Sequence, residues 1–282
     1  MRKALRIFLL AIGLASSTDA ATGRAGALVE FSNLSDRAPI KLLGYLVRPD
    51  AGLSGLLADH ANRAGPYPAV VVLHGCGGFS SHSAQMADKL GSWGYVTRTV
   101  DSLGPRGIAG RCGSMSLDQA FDAYAALRYL SQLDFVDPAR AAVLSQSMGG
   151  FSALYALDRD LAAQYFRESF RAAIAYYPGC GLPAAMLTAP TLVLIEEADD
   201  WTRAERCREM VAHSRPEGAP ITLTVYPGAY HAFDVTELNP GIRFLGHWLE
   251  YNEPAARDAE QKLRDFLAVH LAGAPAGKPG TK

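Results

Sequence analysis

Ser145-Gln146-Ser147-Met148-Gly149-Gly150 follows the apolar run Ala141 to Leu144 and opens a helix-compatible segment. A serine set among small residues between a buried strand and a helix predicts a tight turn close to the G-x-S-x-G pattern, which lifts one hydroxyl clear of the backbone. The helix N-terminus behind it offers amide groups to an oxyanion. Ser147 is therefore the candidate nucleophile. Ser145 stands where the pattern has glycine, and its Cβ crowds the turn. Taken alone, the stretch reads equally well as a small-residue turn that caps a helix, so the rest of the chain has to decide.

A serine hydroxyl needs an imidazole to take its proton, and the imidazole needs a carboxylate to fix its tautomer and stabilise its cation. The strand-like run Thr191 to Ile195 ends in Glu196-Glu197-Ala198-Asp199-Asp200-Trp201, which places carboxylates just past a strand. Asp199 is favoured over Asp200 because Glu197-Ala198-Asp199 gives a two-residue turn before the acid; the other role open to the two aspartates is capping a helix over Trp201 to His213. Ile221 to Tyr226 alternates as a strand, breaks at Pro227-Gly228 and leaves His231 in the loop beyond. His60, His82, His213, His247 and His270 lack such a placement and read as surface or structural residues. The order serine, acid, histidine, each after a strand, is that of the α/β-hydrolase fold. The expected fold class is thus α/β, a mostly parallel central sheet flanked by helices, with no large lid domain.

Ala69 to Leu73 is apolar on both faces, as in a buried parallel strand, and runs into His74-Gly75-Cys76-Gly77-Gly78. Glycines there let backbone amides approach a ligand. The predicted oxyanion hole takes one amide from Met148, after the nucleophile, and one from Cys76 or Gly77. A catalytic thiol at Cys76 is the competing reading of that residue.

These segments, with Gly94-Tyr95-Val96, Val100 to Gly107, Glu197 to Thr202 and Tyr230-His231-Ala232-Phe233-Asp234, resemble the dienelactone hydrolase family from about Lys41 to Leu271. The resemblance implies a hydrolase of ester or lactone bonds in small substrates. The namesake enzymes carry a cysteine nucleophile where this chain has Ser147, which favours general esterase chemistry, and Arg203 stands where the acid loop of the family usually has proline. Arg106 lies in the segment where those enzymes place an arginine that binds the substrate carboxylate, so the resemblance makes it a candidate substrate contact; a structural arginine is the other reading.

The chain has 282 residues, is 49% hydrophobic and carries a formal net charge of -1, enough to bury a full core and without the basic excess of a nucleic-acid binder. It contains no phosphate-binding glycine loop, dinucleotide fingerprint or H-E-x-x-H helix, so no cofactor and no metal are expected. Arg2, Lys3 and Arg6 precede the apolar run Ile7 to Ala15 and the small residues near Ala20, which reads as a signal peptide (1–20) of an exported protein, periplasmic or secreted. That run is too short for a stable membrane span, although an uncleaved anchor is the rival reading. The four cysteines suit an oxidising compartment, with Cys180–Cys207 and Cys76–Cys112 as candidate disulfides.

Helices are expected over Ser83 to Trp93, Leu117 to Gln132, Met148 to Asp158 and Ala255 to Leu271, with a surface loop at Asp50 to Pro68 and a disordered tail, 272–282. Trp201, Tyr230, Phe233 and Tyr176 flank the three loops and are candidate pocket walls. The domain expected is 21–271, a serine hydrolase acting through an acyl-enzyme. A peptidase or acyltransferase with the same triad, and a non-catalytic binding protein on the same fold, are the alternatives.

Overall fold

Alternation along the central strands splits the core in two. Val71, Leu73 and Val143 face one apolar cluster, while Val70, Val72, Ala142 and Leu144 face another, and none of the seven side chains is accessible to solvent. A strand buried on both faces needs a helical layer on each side. The computed structural model supplies both; it describes residues 26–34, 39–49, 66–112 and 117–272. The expected signal peptide and the tail beyond 272 lie outside the described residues, as do 50–65 of the expected loop, whereas Tyr67 and Pro68 already belong to a strand.

The strands β1 (Ala27–Ser32), β2 (Lys41–Val47), β3 (Tyr67–Leu73), β4 (Val96–Asp101), β5 (Val136–Gln146), β6 (Ala172–Tyr176), β7 (Thr191–Glu196) and β8 (Ile221–Tyr226) form one sheet in the order β1-β2-β4-β3-β5-β6-β7-β8. β2 is antiparallel to its neighbours β1 and β4, and the pairings from β4 through β8 are parallel. Helices α1 (Ser81–Ser92) and α6 (Glu253–His270) cover one face; α2 (Asp118–Leu130), α3 (Met148–Leu157) and α5 (Ala204–Ala212) cover the other, with the short α4 (Arg159–Tyr165) after α3. In α6 the buried stripe Ala255, Ala259, Leu263 and Leu267 recurs every fourth residue, and Asn252 caps the helix by accepting from the Ala255 amide.

Chain order reverses where β3 lies between β4 and β5. In an open α/β sheet the crevice beyond the strand ends at such a switch point is the usual place for a ligand. Ser147 and the Gly75–Gly78 loop leave β5 and β3 there.

Two local expectations change. The helix after the acid loop starts at Ala204 rather than Trp201, because the Asp199 carboxylate accepts from the amides of Trp201 and Thr202 and holds them in a turn of their own. Arg203 is the N-cap of α5, so neither Asp199 nor Asp200 caps it. A small hairpin of β9 (Ile242–Phe244) and β10 (His247–Leu249) follows the histidine loop. Its apolar residues are largely solvent-exposed on β9, so they lack the in-out alternation from which a strand is read.

Candidate active site

The turn after β5 explains both the glycines and the departure from the pattern. Ser147 has φ 50° and ψ −113°, a strained backbone of the kind stored at functional sites. A Cβ on Gly149 would meet the carbonyl oxygens of His74 and Leu73 at 2.7 and 2.9 Å, so only glycine lets α3 start this close to β3. Ser145 is tolerated because its side chain points into the sheet, where the hydroxyl donates to the Ile174 carbonyl at 2.9 Å.

The strand ends bring Ser147, Asp199 and His231 together. The Ser147 hydroxyl lies 3.1 Å from His231 Nε2, and His231 Nδ1 lies 2.7 Å from Asp199 Oδ2. The Asp199 carboxylate also accepts from the Thr202 hydroxyl at 2.6 Å and from the amides of Trp201 and Thr202. Burial works to raise the Asp199 pKa, but the hydrogen bond and charge of His231, with the Thr202 hydroxyl and the Trp201 amide, outweigh it and hold the carboxyl below its ordinary range. An ionised acid facing Nδ1 leaves Nε2 free to accept a proton from the serine. Asp200 turns outward to His247, 3.0 Å away.

Across from Ser147, the loop after β3 comes close: a Cβ on Gly75 would stand 3.6 Å from the Ser147 Cβ. Among the described residues the amides of Cys76, Gly77 and Met148 donate to no protein acceptor. His74, fully buried, pins this loop from behind. Its Nε2 accepts from the Ser102 amide and its Nδ1 lies 2.6 Å from the Gly75 carbonyl, a pattern that needs the neutral ring, and burial lowers its pKa accordingly. The residue stood inside the quoted motif, but its bracing role depends on Ser102 and Gln119, which sequence spacing does not reveal.

Cys76 is disulfide-bonded to Cys112, and Cys180 to Cys207. No free thiol exists among the described residues, which removes the catalytic-thiol reading of Cys76. The first bridge anchors the oxyanion-side loop, and the second joins the loop after β6 to α5.

Two cavities meet at Ser147. The larger, about 670 Å³, lies between the disulfides and is lined by Arg111, Arg203 and Arg206 as well as Trp201 and Met148. The smaller, about 260 Å³, runs beneath the β9–β10 hairpin and is walled by Val235, Leu238, Phe244 and Leu249. Trp201 borders both, with its ring 5.1 Å from that of His231 and stacked on His247 at 4.6 Å.

The other predicted contacts lie elsewhere. Arg106 forms a bidentate pair with the buried Asp122 at 2.7 and 2.9 Å and donates to the Ser102 carbonyl, so its guanidinium is committed to the scaffold and absent from both cavity walls. Phe233 is fully buried and packs on Tyr176 and Tyr226 within the core. Tyr230 packs edge-on against Trp248, outside both cavities. Sequence reasoning missed Arg111, Arg206 and the hairpin; Arg203, Arg206 and Arg208 cluster at the start of α5, but their spacing alone does not separate Arg206, on the cavity, from Arg208, which pairs with Glu197.

Glu196, Asp199 and His231 each offer a ligand atom within 4.8 Å of the others. Ligands of a tetrahedral ion at ~2.0 Å stand roughly 3.3 Å apart, whereas the Asp199–His231 separation of 2.7 Å is that of a charge-assisted hydrogen bond.

The sequence profile described as the dienelactone hydrolase family matches residues 53–271. The chain belongs to the dienelactone hydrolase family. A probable 2-oxo-3-(5-oxofuran-2-ylidene)propanoate lactonase of Bradyrhizobium is 25% identical over 255 residues, covering 82% of this chain and 90% of that one. An uncharacterised protein of Mycobacterium tuberculosis is 31% identical over 196 residues, covering 64% and 68%. Among solved structures, a putative dienelactone hydrolase of Klebsiella pneumoniae superposes with a TM-score of 0.63 at 20% identity over 86% of this chain and 99% of its own, and shares the fold. Family and fold make the protein a hydrolase of the dienelactone hydrolase type, with a small-molecule substrate. Its two disulfides suit an oxidising environment, and no described helix is long and apolar enough to cross a membrane.

Proposed function

We propose that the protein cleaves small carboxylic esters or lactones through an acyl-enzyme formed on Ser147. The observation that carries this reading is the continuous line from Ser147 Oγ to His231 Nε2 and from Nδ1 to Asp199, at 3.1 and 2.7 Å, on a strained elbow. His231 takes the serine proton as the hydroxyl attacks the carbonyl carbon, then returns it to the departing alcohol; a water repeats the cycle and frees the acid. Amides of Met148 and of Cys76 or Gly77 receive the oxyanion, each contributing about 3 kcal/mol in the transition state. Asp199 holds the ring and balances the imidazolium.

Arg203 in the larger cavity, with Arg206 at 3.5 Å from Glu209 and Arg111 already paired to Asp118 at 2.8 Å, favours a substrate with an acidic group, in keeping with the propanoate of the lactone named for the Bradyrhizobium relative. The apolar smaller cavity suits a short hydrocarbon portion. We further propose export: the N-terminal basic and apolar segment supports it, and the disulfides agree. Steady-state hydrolysis of p-nitrophenyl acetate and butyrate by the unmutated protein and by Ser147→Ala tests the reading. Turnover that disappears in the variant supports it, and turnover that survives refutes it.

A further inference from the structure

Glu196 is a buried acid for which the mechanism above has no use. It ends β7, where alternation puts it on the same face as Leu192 and Leu194, whereas the next residue, Glu197, turns out to pair with Arg208. Its side chain is inaccessible to solvent, and neither carboxyl oxygen has a donor in good hydrogen-bonding geometry among the described residues; the backbone amides of Glu196 itself and of Phe233 are near enough to oppose the effect of burial only in part. A buried carboxyl so poorly partnered is costly, and such a group calls for an explanation. One of its oxygens lies within 4.8 Å of both an Asp199 oxygen and a His231 ring nitrogen.

The charged and titratable neighbours of Glu196 are Asp199 in the same loop, Asp234 and His231 after β8, Tyr226 at the end of β8 and Tyr177 after β6. Two carboxylates this close in a dry site do not both ionise. Asp199 already accepts from Trp201, from Thr202 twice and from His231, so the charge settles on it. Burial, followed by the charge of Asp199, pushes Glu196 far above the ordinary carboxyl range, and it stands as the neutral acid.

We propose that Glu196 and Asp199 together form a two-carboxyl acid for His231 carrying a single negative charge, which resides on Asp199 and passes to Glu196 when the charge of Asp199 is removed. The inference rests on the triad reading. Glu196 is a positioning residue: it acts through His231 and meets no substrate. When Asp199 is replaced by a neutral residue, Glu196 releases its proton to solvent, and a carboxyl movement of up to about 2 Å brings its oxygen to hydrogen-bond distance of the ring nitrogen. His231 Nδ1–H then donates to Glu196 in place of Asp199.

A double-mutant cycle tests this. Loss of a triad acid with no substitute costs about 10⁴-fold in kcat, so Asp199→Ala is expected to lose only about 10²-fold and to gain an acid limb in its pH profile where Glu196 ionises. Glu196→Gln should cost at least about 30-fold more in the Asp199→Ala background than in the unmutated protein, and should abolish that limb. An equal factor in both backgrounds overturns the proposal. Circular dichroism and thermal melts establish that each variant is folded, and Asp199→Asn carries the same comparison should Asp199→Ala not fold. Ser147→Ala in the Asp199→Ala background separates the two readings. Hydrolysis that survives it overturns the triad, whereas hydrolysis lost there with no coupling to Glu196 overturns this proposal alone.

Discussion

Among the described residues a buried aspartate–histidine pair and a partly buried one each draw a member from the loop after β8. Asp199 and His231 lie 2.7 Å apart with side chains 0% and 4% exposed; Asp234 and His82 lie 3.1 Å apart at 8% and 15%. Residue type does not distinguish them. What differs is the third group. The free nitrogen of His231 faces the hydroxyl of a strained serine, whereas the second oxygen of Asp234 is taken by the Tyr177 hydroxyl at 2.8 Å, and His82 ties α1 to the loop. In the proposed reaction the first arrangement moves a proton, whereas the second fastens an element. Tyr177 connects them, since its ring packs edge-on against His231 and its carbonyl lies 3.1 Å from the Thr202 hydroxyl.

The widest separation between the pairs is expected in activity. His231→Ala should lower kcat by about 10⁴- to 10⁶-fold, while His82→Ala should lower it by less than about 10-fold; steady-state kinetics on p-nitrophenyl butyrate measures both. A comparable loss in His82→Ala would erase the distinction.

Stability should invert the ranking. Removing one partner of a buried ion pair costs about 3 kcal/mol or more, so Asp234→Asn should lower the midpoint of denaturant unfolding clearly while its catalytic loss stays modest. The oxyanion-side loop offers an intermediate case. Replacing Cys76 and Cys112 together by alanine should remove about 3 kcal/mol of stability and lower kcat more than it raises KM, because the bridge anchors the amides opposite Ser147.

The smallest effect is in pH. Burial lowers the pKa of His82, but the charge and hydrogen bond of Asp234 outweigh it, so the net shift is upward from 6.5. A histidine raised on folding contributes stability that is fully present below its unfolded pKa and is lost as pH rises through the folded one. Melting-temperature differences between the unmutated protein and His82→Gln should therefore be largest below about pH 6.5 and narrow on the alkaline side. A constant difference would show that the pair carries no charge.

The same contrast marks what was legible in the chain. The sheet could be read because β3, β7 and the Ala141 to Leu144 part of β5 are apolar runs that specify buried strands; Ser147 and Asp199 could be singled out because each follows such a run, and His231 because it follows the alternating strand β8. Direction after a strand end is another matter. Phe233 and Tyr230 flank His231, yet one points into the core and the other toward Trp248. Arg106 fits a substrate-binding segment in sequence, but its partner Asp122 comes from α2 and is fixed only by tertiary packing. The β9–β10 hairpin escaped notice because Ile242, Phe244 and Leu245 are exposed and carry no burial periodicity. Glu196 and Glu197 are adjacent and chemically alike, and β7 is buried on both faces, so the sequence does not separate the buried one from the one that pairs with Arg208.

Ser147 as the nucleophile is the claim on which the other assignments depend. Rapid mixing of the protein with p-nitrophenyl acetate, acid quenching and peptide mapping by mass spectrometry test it directly. A burst of p-nitrophenolate close to one equivalent, with a single acetyl group on the peptide containing Ser147, is the predicted result. Turnover without an acyl group at Ser147, or acetyl on another residue with the same kinetics, would contradict it.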